Sequence, residues 1–363
     1  MKQQNERRLE IDLDAVLNNV KYIKKNTGKQ ILACVKCDGY GLGAVAVSRK
    51  IEPNVDWFGV ATVDEAVSLR KAGIVKPILV LGVTEKQYIR QAINHRISLT
   101  IPSSDFINRI PASEPVSVHL KIDTGMGRLG IMPQELSETL KRINSRKNIK
   151  LEGVFSHLSS SEKPEKTRAL KQIKIFHEVI GQLPTRLRVI THIANSGGII
   201  NIPESVDGFS MVRTGLLLYG VYPSLFLKTF HHIASLEYAI CGIAKILLAR
   251  KVPAGTLLSY NGKFMCKHET QIGIAGIGYG DGLDRALSNR FYMKYSNQLL
   301  PIRGNICMDQ TILELTADIK QDEEIVFLDS ELSAEHMAEI AHTVPHEILT
   351  RFGVSRINKV YRG

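Results

Sequence analysis

A chain of 363 residues, 44% hydrophobic and 23% charged, is long enough for one large and one smaller domain and has the makeup of a globular protein. Its five cysteines form no disulfide framework, which suits a reducing cytosol, and no apolar run reaches the length of a membrane-spanning helix. The net charge of +11 is spread over helix-like stretches without interleaved aromatic residues, which argues against nucleic acid and fits an anionic small ligand. Residues 1–13 are polar and charged, so no secretory signal is expected.

Residues 8–14 read as a short strand or extended lead-in, followed by an amphipathic helix over 13–25. Eight apolar runs then recur at 31–37, 57–62, 77–82, 97–101, 116–122, 151–156, 187–192 and 209–218. Helical patterns at 63–72, 85–94, 134–144 and 166–183, and a short turn at 195–200, alternate with them. Eight strands alternating with helices predict a parallel sheet, and eight is the number that closes a (β/α)8 TIM-type barrel. A doubly wound open sheet is the other architecture with this alternation.

From about residue 234 the pattern changes to strands without helices, at 238–248, 270–277, 291–295, 298–302, 311–315 and 324–328. Ser296-Asn297 reads as a hairpin turn, Ser333 as the N-cap of a helix and Pro345 as the start of another. The expected division is a barrel over 9–233 and a mostly β domain over 234–363, joined by residues 1–8.

Function in a barrel gathers at the carboxyl ends of its strands. Those ends carry Lys36 and Tyr40, then Lys121, Asp123 and Arg128, then His157, then His192, Asn195 and Ser196, then Arg213, Gly215 and Tyr219. Lysine is costly to bury unless paired or covalently used, so Lys36, followed by Gly39, Gly41 and Gly43, is a candidate Schiff-base former. A lysine snorkelling to the surface is the plain alternative. Ser196 and the backbone at Gly215-Leu216 suit a phosphate on the last two strands, and together with Lys36 they suit pyridoxal phosphate.

Other features have ordinary readings. Gly125, Gly127 and Gly130 spell the dinucleotide fingerprint, but charged residues crowd it and the next helix begins only near Pro133. Cys34 and Cys37 form a C-x-x-C whose two side chains would leave a strand on opposite faces, so no metal site is expected. His157 and His192 could be structural, Arg213 a surface ion-pair partner, and His231 and His232 chemically idle at the domain junction.

The chain resembles the bacterial alanine racemases through an ordered set of motifs. They are Val35-Lys-Cys-Asp-Gly-Tyr-Gly, Lys121-Ile-Asp-Thr-Gly-Met-Gly-Arg-Leu-Gly, Phe155-Ser-His, Ala194-Asn-Ser, Val212-Arg-Thr-Gly-Leu-Leu-Leu-Tyr-Gly, Leu258-Ser-Tyr, Ile277-Gly-Tyr-Gly-Asp-Gly and Ile306-Cys-Met-Asp-Gln. The resemblance implies that Lys36 holds pyridoxal 5'-phosphate, with Tyr40, Ser196, Gly215 and Leu216 around its phosphate. It places Arg213 at the ring nitrogen, oriented by His157, and Arg128 at the phenolic oxygen and the substrate carboxylate. Lys121 matches a position that is carbamylated in many members.

The resemblance also implies a two-base mechanism. Lys36 serves one face of the substrate, and Tyr260, from the second subunit of a homodimer, serves the other. Met308 and Asp309 of that subunit would hold the carboxylate and Tyr279 would narrow the way in. The implied function is interconversion of L- and D-alanine in the cytoplasm for peptidoglycan. A racemase of the same fold acting on serine or on a larger or basic amino acid, and a non-catalytic pyridoxal-phosphate-binding protein, are the alternatives. Cys37 and Gly39 replace alanines common in the family, and 352–356 lacks a tyrosine that some members use as a phosphate contact and gate.

Overall fold

The computed structural model describes residues 7–229, 236–316 and 318–363. His231 and His232, and the expected domain boundary at 233–234, lie outside the described residues.

Strand β1 (Arg7–Asp12) leads into the helix Leu13–Thr27. Asp12 caps that helix by accepting from the Ala15 N–H, and Gly28 closes it in a left-handed conformation at φ 63. The helix buries Val16, Val20 and Ile23 along one stripe. Eight parallel strands follow: β2 (Gln30–Cys34), β3 (Trp57–Val60), β4 (Ile78–Val80), β5 (Ser98–Ile101), β6 (Val116–Lys121), β7 (Ile149–Phe155), β8 (Ile190–His192) and β9 (Met211–Thr214).

From β2 to β8 each strand pairs with the next, and β9 returns to pair with β2. The Ser210 N–H to Thr191 C=O bond (2.9 Å) and the Arg213 N–H to Ala194 C=O bond (3.1 Å) draw β8 and β9 together. The result is a nearly closed TIM-type barrel, as the eightfold alternation predicts. Two elements escaped the sequence pattern: the helix Ala44–Ile51 after β2, and a 3-10 turn at Ser104–Arg109 in place of a helix after β5.

The second domain is built on a branched eight-stranded sheet. Its spine is β10 (Ile240–Val252), whose first half pairs with β1 and whose second half pairs with β13 (Thr270–Ala275) across a register shift near Ile246 and Leu248. A two-stranded ribbon, β11 (Leu257–Leu258) and β12 (Phe264–Met265), projects between them. β14 (Tyr292–Tyr295) and β15 (Gln298–Pro301) form the expected hairpin around Ser296-Asn297, and β16 (Thr311–Glu314) and β17 (Glu324–Leu328) complete the run.

Ser333 does cap the helix Ala334–Ile340, and Pro345 does begin the helix Pro345–Gly353. The last strand, β18 (Asn358–Arg362), lies parallel to β1. Both ends of the described chain therefore belong to the second sheet. Among the described residues no helix is long and apolar enough to cross a membrane.

Candidate active site

The site begins where β2 stops. The strand ends at Cys34 instead of running to residue 37, and Lys36 opens a left-handed turn. Cys37 (φ 52, ψ 51), Asp38 (φ 53, ψ 47) and Gly39 (φ 64, ψ 43) are left-handed in succession, followed by Tyr40 at φ 59 and Gly41 at φ 83. Each non-glycine residue in this region costs about 1–2 kcal/mol, so the turn needs outside support.

Glu65 accepts the Cys37 and Ala61 N–H groups, both at 2.7 Å. Asp38 accepts the Ala44 N–H at 2.9 Å and pairs with Lys359 at 2.7 Å. The Tyr219 hydroxyl donates to the Gly39 carbonyl at 2.8 Å. From the second domain, Gly353 packs directly on Gly41: a Cβ on Gly41 would fall 2.5 Å from the Gly353 Cα. The turn folds Tyr40 back toward the cavity that Lys36 lines.

That cavity, about 330 Å³ at the carboxyl end of the barrel, is also lined by Lys121, Arg128, His157, Ser196, Arg213 and Gly215. Leu216 is fully buried beside Gly215 and its side chain does not reach the cavity. Tyr40, Ser196 and Gly215 converge on one wall. The Ser196 hydroxyl accepts the Gly215 N–H at 3.2 Å, and any side chain at 215 would overlap the Tyr40 hydroxyl. Burial pushes the Tyr40 phenol well above its ordinary range, so it stays a protonated donor.

Arg213 is no surface ion-pair partner: it is 4% exposed. Its Nη1 donates to His192 Nδ1 (2.8 Å), and its Nη2 donates to the Ser156 and Ile193 carbonyls (2.7 and 3.0 Å) and to His157 Nδ1 (3.1 Å). Burial pushes the guanidinium down to about 10, which leaves it charged at neutral pH. His157 and His192, buried first and beside this cation second, are held well below the ordinary histidine value and are neutral. His192 Nε2 lies 3.0 Å from His119 Nδ1, and the Phe155 ring stacks on His192 at 4.8 Å.

Lys121 is almost fully buried, 5.5 Å from the Phe155 ring. Burial, then the charges of Arg128 and Arg213, push its amine down to about 8. The neighbouring glycine-rich loop turns inward on itself: Asp123 accepts the N–H groups of Gly125, Met126 and Gly127 at 2.9, 2.9 and 3.1 Å. The Gly125 and Gly127 amides of the apparent dinucleotide fingerprint are thus taken by the chain's own carboxylate, and the Gly130 N–H donates to the Pro102 carbonyl at 2.9 Å. Of the C-x-x-C pair, Cys34 is buried and Cys37 exposed, both as free thiols.

Sequence reasoning missed two contributors from the second domain, Val344 and His346. The His346 ring lies 5.7 Å from that of Tyr40, and burial, followed by the charge of Lys36, pushes it down to about 4. The segment 352–356, where the missing tyrosine drew attention, does not line the cavity. Phe352 is buried against Phe327, and the side chain that reaches in is His346. No periodicity signals this, because the position is set by how the helix Pro345–Gly353 docks on the lysine turn.

The remaining expected residues form a second group. Tyr260, 69% exposed, and Met308, 55% exposed, face a shallow depression of about 500 Å³ with Asp309. Tyr260 also borders a broader one of about 860 Å³ with Tyr279. Neither depression shares a residue with the barrel cavity. The Asp309 carboxylate pairs with Arg356, whose Nε also lies 2.7 Å from Oδ1 of buried Asp281; Arg7 Nε lies 2.8 Å from the same oxygen. The Tyr279 and Gly280 N–H groups donate to the Cys307 and Met308 carbonyls at 2.9 Å, which joins the two loops.

Comparison with known proteins places this arrangement. Family profiles described as "Alanine racemase, N-terminal domain" and "Alanine racemase, C-terminal domain" match residues 11–223 and 242–361. The chain is 34% identical to "Alanine racemase 1" of Caldanaerobacter subterraneus, over 98% of this chain and 94% of that protein. It is 33% identical to the alanine racemase of Staphylococcus saprophyticus, over 97% and 93% of the two chains.

Among solved structures, alanine racemase from Clostridium difficile superposes with a TM-score of 0.91 at 31% identity, covering 99% of this chain and 97% of that one. Alanine racemase from Bacillus anthracis with bound L-Ala-P gives 0.88 at 30% identity, covering 100% and 96%. With both domain profiles matched in order and relatives above 30% identity along nearly its whole length, the chain belongs to the alanine racemase family.

Proposed function

We propose that this protein is a cytoplasmic, pyridoxal-phosphate-dependent alanine racemase that works as a homodimer and supplies D-alanine for peptidoglycan. The observation that carries the reading is a single cavity holding a lysine amine, three further basic side chains, and the Tyr40 and Ser196 hydroxyls beside a glycine that leaves them room. Such a set fits a phosphate-bearing aldehyde. Lys36 would hold the cofactor covalently, and Tyr40, Ser196 and the backbone at Gly215 and Leu216 would take its phosphate. The bound cofactor would supply the electron withdrawal that acidifies the substrate Cα–H.

The chain's own residues do the rest. Arg213 can only donate, so it would leave the cofactor's ring nitrogen unprotonated and temper that withdrawal. Arg128 would bind the substrate carboxylate. The Lys36 amine, once displaced, would take or return the α-proton on one face, and the partner subunit's Tyr260 would do so on the other. The exposure of Tyr260 and Met308, together with nearby exposed Leu257 and Met265, supports a partner covering this surface.

In this reading the partner subunit's Met308 amide would meet the carboxylate, and the partner subunit's Tyr279 would narrow the channel. The partner subunit's Asp309 would act by fixing that loop through Arg356. His157, neutral with Nδ1 occupied by Arg213, would offer an Nε2–H to the phenol oxygen rather than a positive charge. Lys121, with its amine pushed down to about 8, has a neutral fraction that can attack carbon dioxide. The new N–C bond and the loss of one proton would give a carbamate, and the cation beside Arg128 would become an anion that braces it.

The experiment is a panel of single enantiomers followed by loss of optical rotation, with wild type beside Lys36→Ala. Alanine should racemise fastest, and Lys36→Ala should lose both the yellow colour and the activity. Faster turnover of serine, lysine or arginine would overturn the substrate, and a yellow, active Lys36→Ala would overturn the lysine.

A further inference from the structure

Ser259, the residue before Tyr260, has φ 61 and ψ −177. This backbone region is in practice restricted to glycine, and residues forced into it cluster where function needs a fixed geometry. Asn261, on the other side of Tyr260, is also left-handed at φ 63. Tyr260 itself is too exposed for packing to hold it. Its position must therefore come from its backbone, and the backbone must be held by something outside the turn.

That support is Asn305. Its side-chain Nδ2 donates to the Tyr260 carbonyl at 2.8 Å, and its own carbonyl accepts the Ser259 hydroxyl at 2.6 Å. Gly304 (φ 75) lets the two segments touch: a Cβ there would fall 2.6 Å from the Ser259 Cβ. The Asn305 segment is anchored from behind, by the Gly304 N–H on Asn289 Oδ1 (2.7 Å) and the Ile306 N–H on Ser288 Oγ (3.0 Å). Cys307 Sγ lies 3.6 Å from Ser259 Oγ, and Met308 follows it in the chain.

We propose that Asn305 is a positioning residue that holds Tyr260 and the Met308 loop as one preformed unit, so that base and carboxylate donor reach the partner's cavity in fixed register. The proposal rests on the reading of Tyr260 as the second base. Without the Asn305 Nδ2 bond to the Tyr260 carbonyl, the Ser259–Asn261 turn keeps only the Ser259 hydroxyl bond to the Asn305 main-chain carbonyl, so it can relax toward ordinary φ values and swing the Tyr260 Cα–Cβ bond away from the substrate. Proton transfer on the Tyr260 face then suffers selectively, because the Met308 loop keeps its bonds from the Tyr279 and Gly280 N–H groups to the Cys307 and Met308 carbonyls and Lys36 stands on a different element.

The test is exchange of the α-hydrogen in D2O, followed by NMR separately for L- and D-alanine. The proteins are the cofactor-loaded wild type, Asn305→Ala, Asn305→Asp, which keeps the size but loses the donor, and Tyr260→Phe. Both Asn305 variants should slow exchange from L-alanine ~10-fold or more and leave D-alanine within ~2-fold, with cofactor absorbance unchanged. Equal slowing of both enantiomers, or of neither, overturns the proposal. If Tyr260→Phe is selective for L-alanine and the Asn305 variants are not, the positioning role alone falls. If Tyr260→Phe slows both equally, Tyr260 is not the second base and the positioning role falls with it.

Discussion

Arg213 donates through Nη1 to His192 Nδ1, 2.8 Å away, and this bond sets the proton positions of two histidines. A guanidinium has no acceptor, so His192 Nδ1 must be bare and its Nε2 must carry the hydrogen. That hydrogen points to His119 Nδ1 at 3.0 Å, which leaves the His119 hydrogen on Nε2. His119 Nε2 has no hydrogen-bond partner among the described residues, and the ring meets Trp57 edge-on at 5.0 Å. The chain of donors runs one way, from the barrel mouth toward its floor.

Replacing His192 by phenylalanine keeps the stack on Phe155 but removes the acceptor from a buried cation. Stability should fall by about 1–3 kcal/mol, read by chemical denaturation of the loaded protein. Turnover should fall as well, because Arg213 is free to tilt.

The same histidines make the fold acid-sensitive. His119 is pushed down to about 4 by burial, and His157 and His192 lie well below their ordinary value. Below pH 6.5 the unfolded chain protonates these side chains while the folded one does not, so stability is lost as pH falls from 6.5 toward 4. Each contributes up to about 1.4 kcal/mol per pH unit in that window. Denaturation curves at pH 7 and pH 5 should differ more for wild type than for His119→Gln.

Lys121 should carry a carbamate at mildly alkaline pH. Protein equilibrated with 13C-bicarbonate at pH 8 should show a carbamate carbon signal that Lys121→Arg lacks. Identical spectra for the two proteins would rule the modification out.

Asp281 is fully buried between Arg7 and Arg356. Asp281→Asn should cost about 2–3 kcal/mol, less than a wholly buried pair because Arg356 is half exposed. Asp309→Asn, at the exposed end of the same cluster, should stay within about 0.5 kcal/mol. Denaturation midpoints of the two variants check the contrast.

The barrel was legible because its eight strands are short apolar runs with helices between them, and Lys36, Lys121, His157, Ser196 and Arg213 follow from the rule that chemistry sits at strand ends. The turn at Lys36 was not legible: a strand pattern continues through Cys37, and only tertiary support from Glu65, Tyr219 and Lys359 makes a left-handed run affordable. His346 was invisible because it reaches the cavity from the other domain. Which histidine meets which inside the barrel depends on register, and the shift in the β6–β7 pairing at Val118 and His119 could not be read from the sequence. The parallel pairing of β18 with β1 joins opposite ends of the described chain, beyond the reach of any local pattern.

The contact between Gly41 and Gly353 has a bearing on how such enzymes can be recombined. A side chain at either position would run into the backbone of the other, and a Cβ on Gly43 would overlap the Tyr361 hydroxyl. The lysine turn is thus moulded by the last stretch of the chain. A chimera that takes this barrel and a foreign second domain keeps the lysine in place only when the donor brings a glycine to the matching helix end. The natural crossover point therefore cannot be the linker between the domains alone: the two glycines must be inherited as a pair.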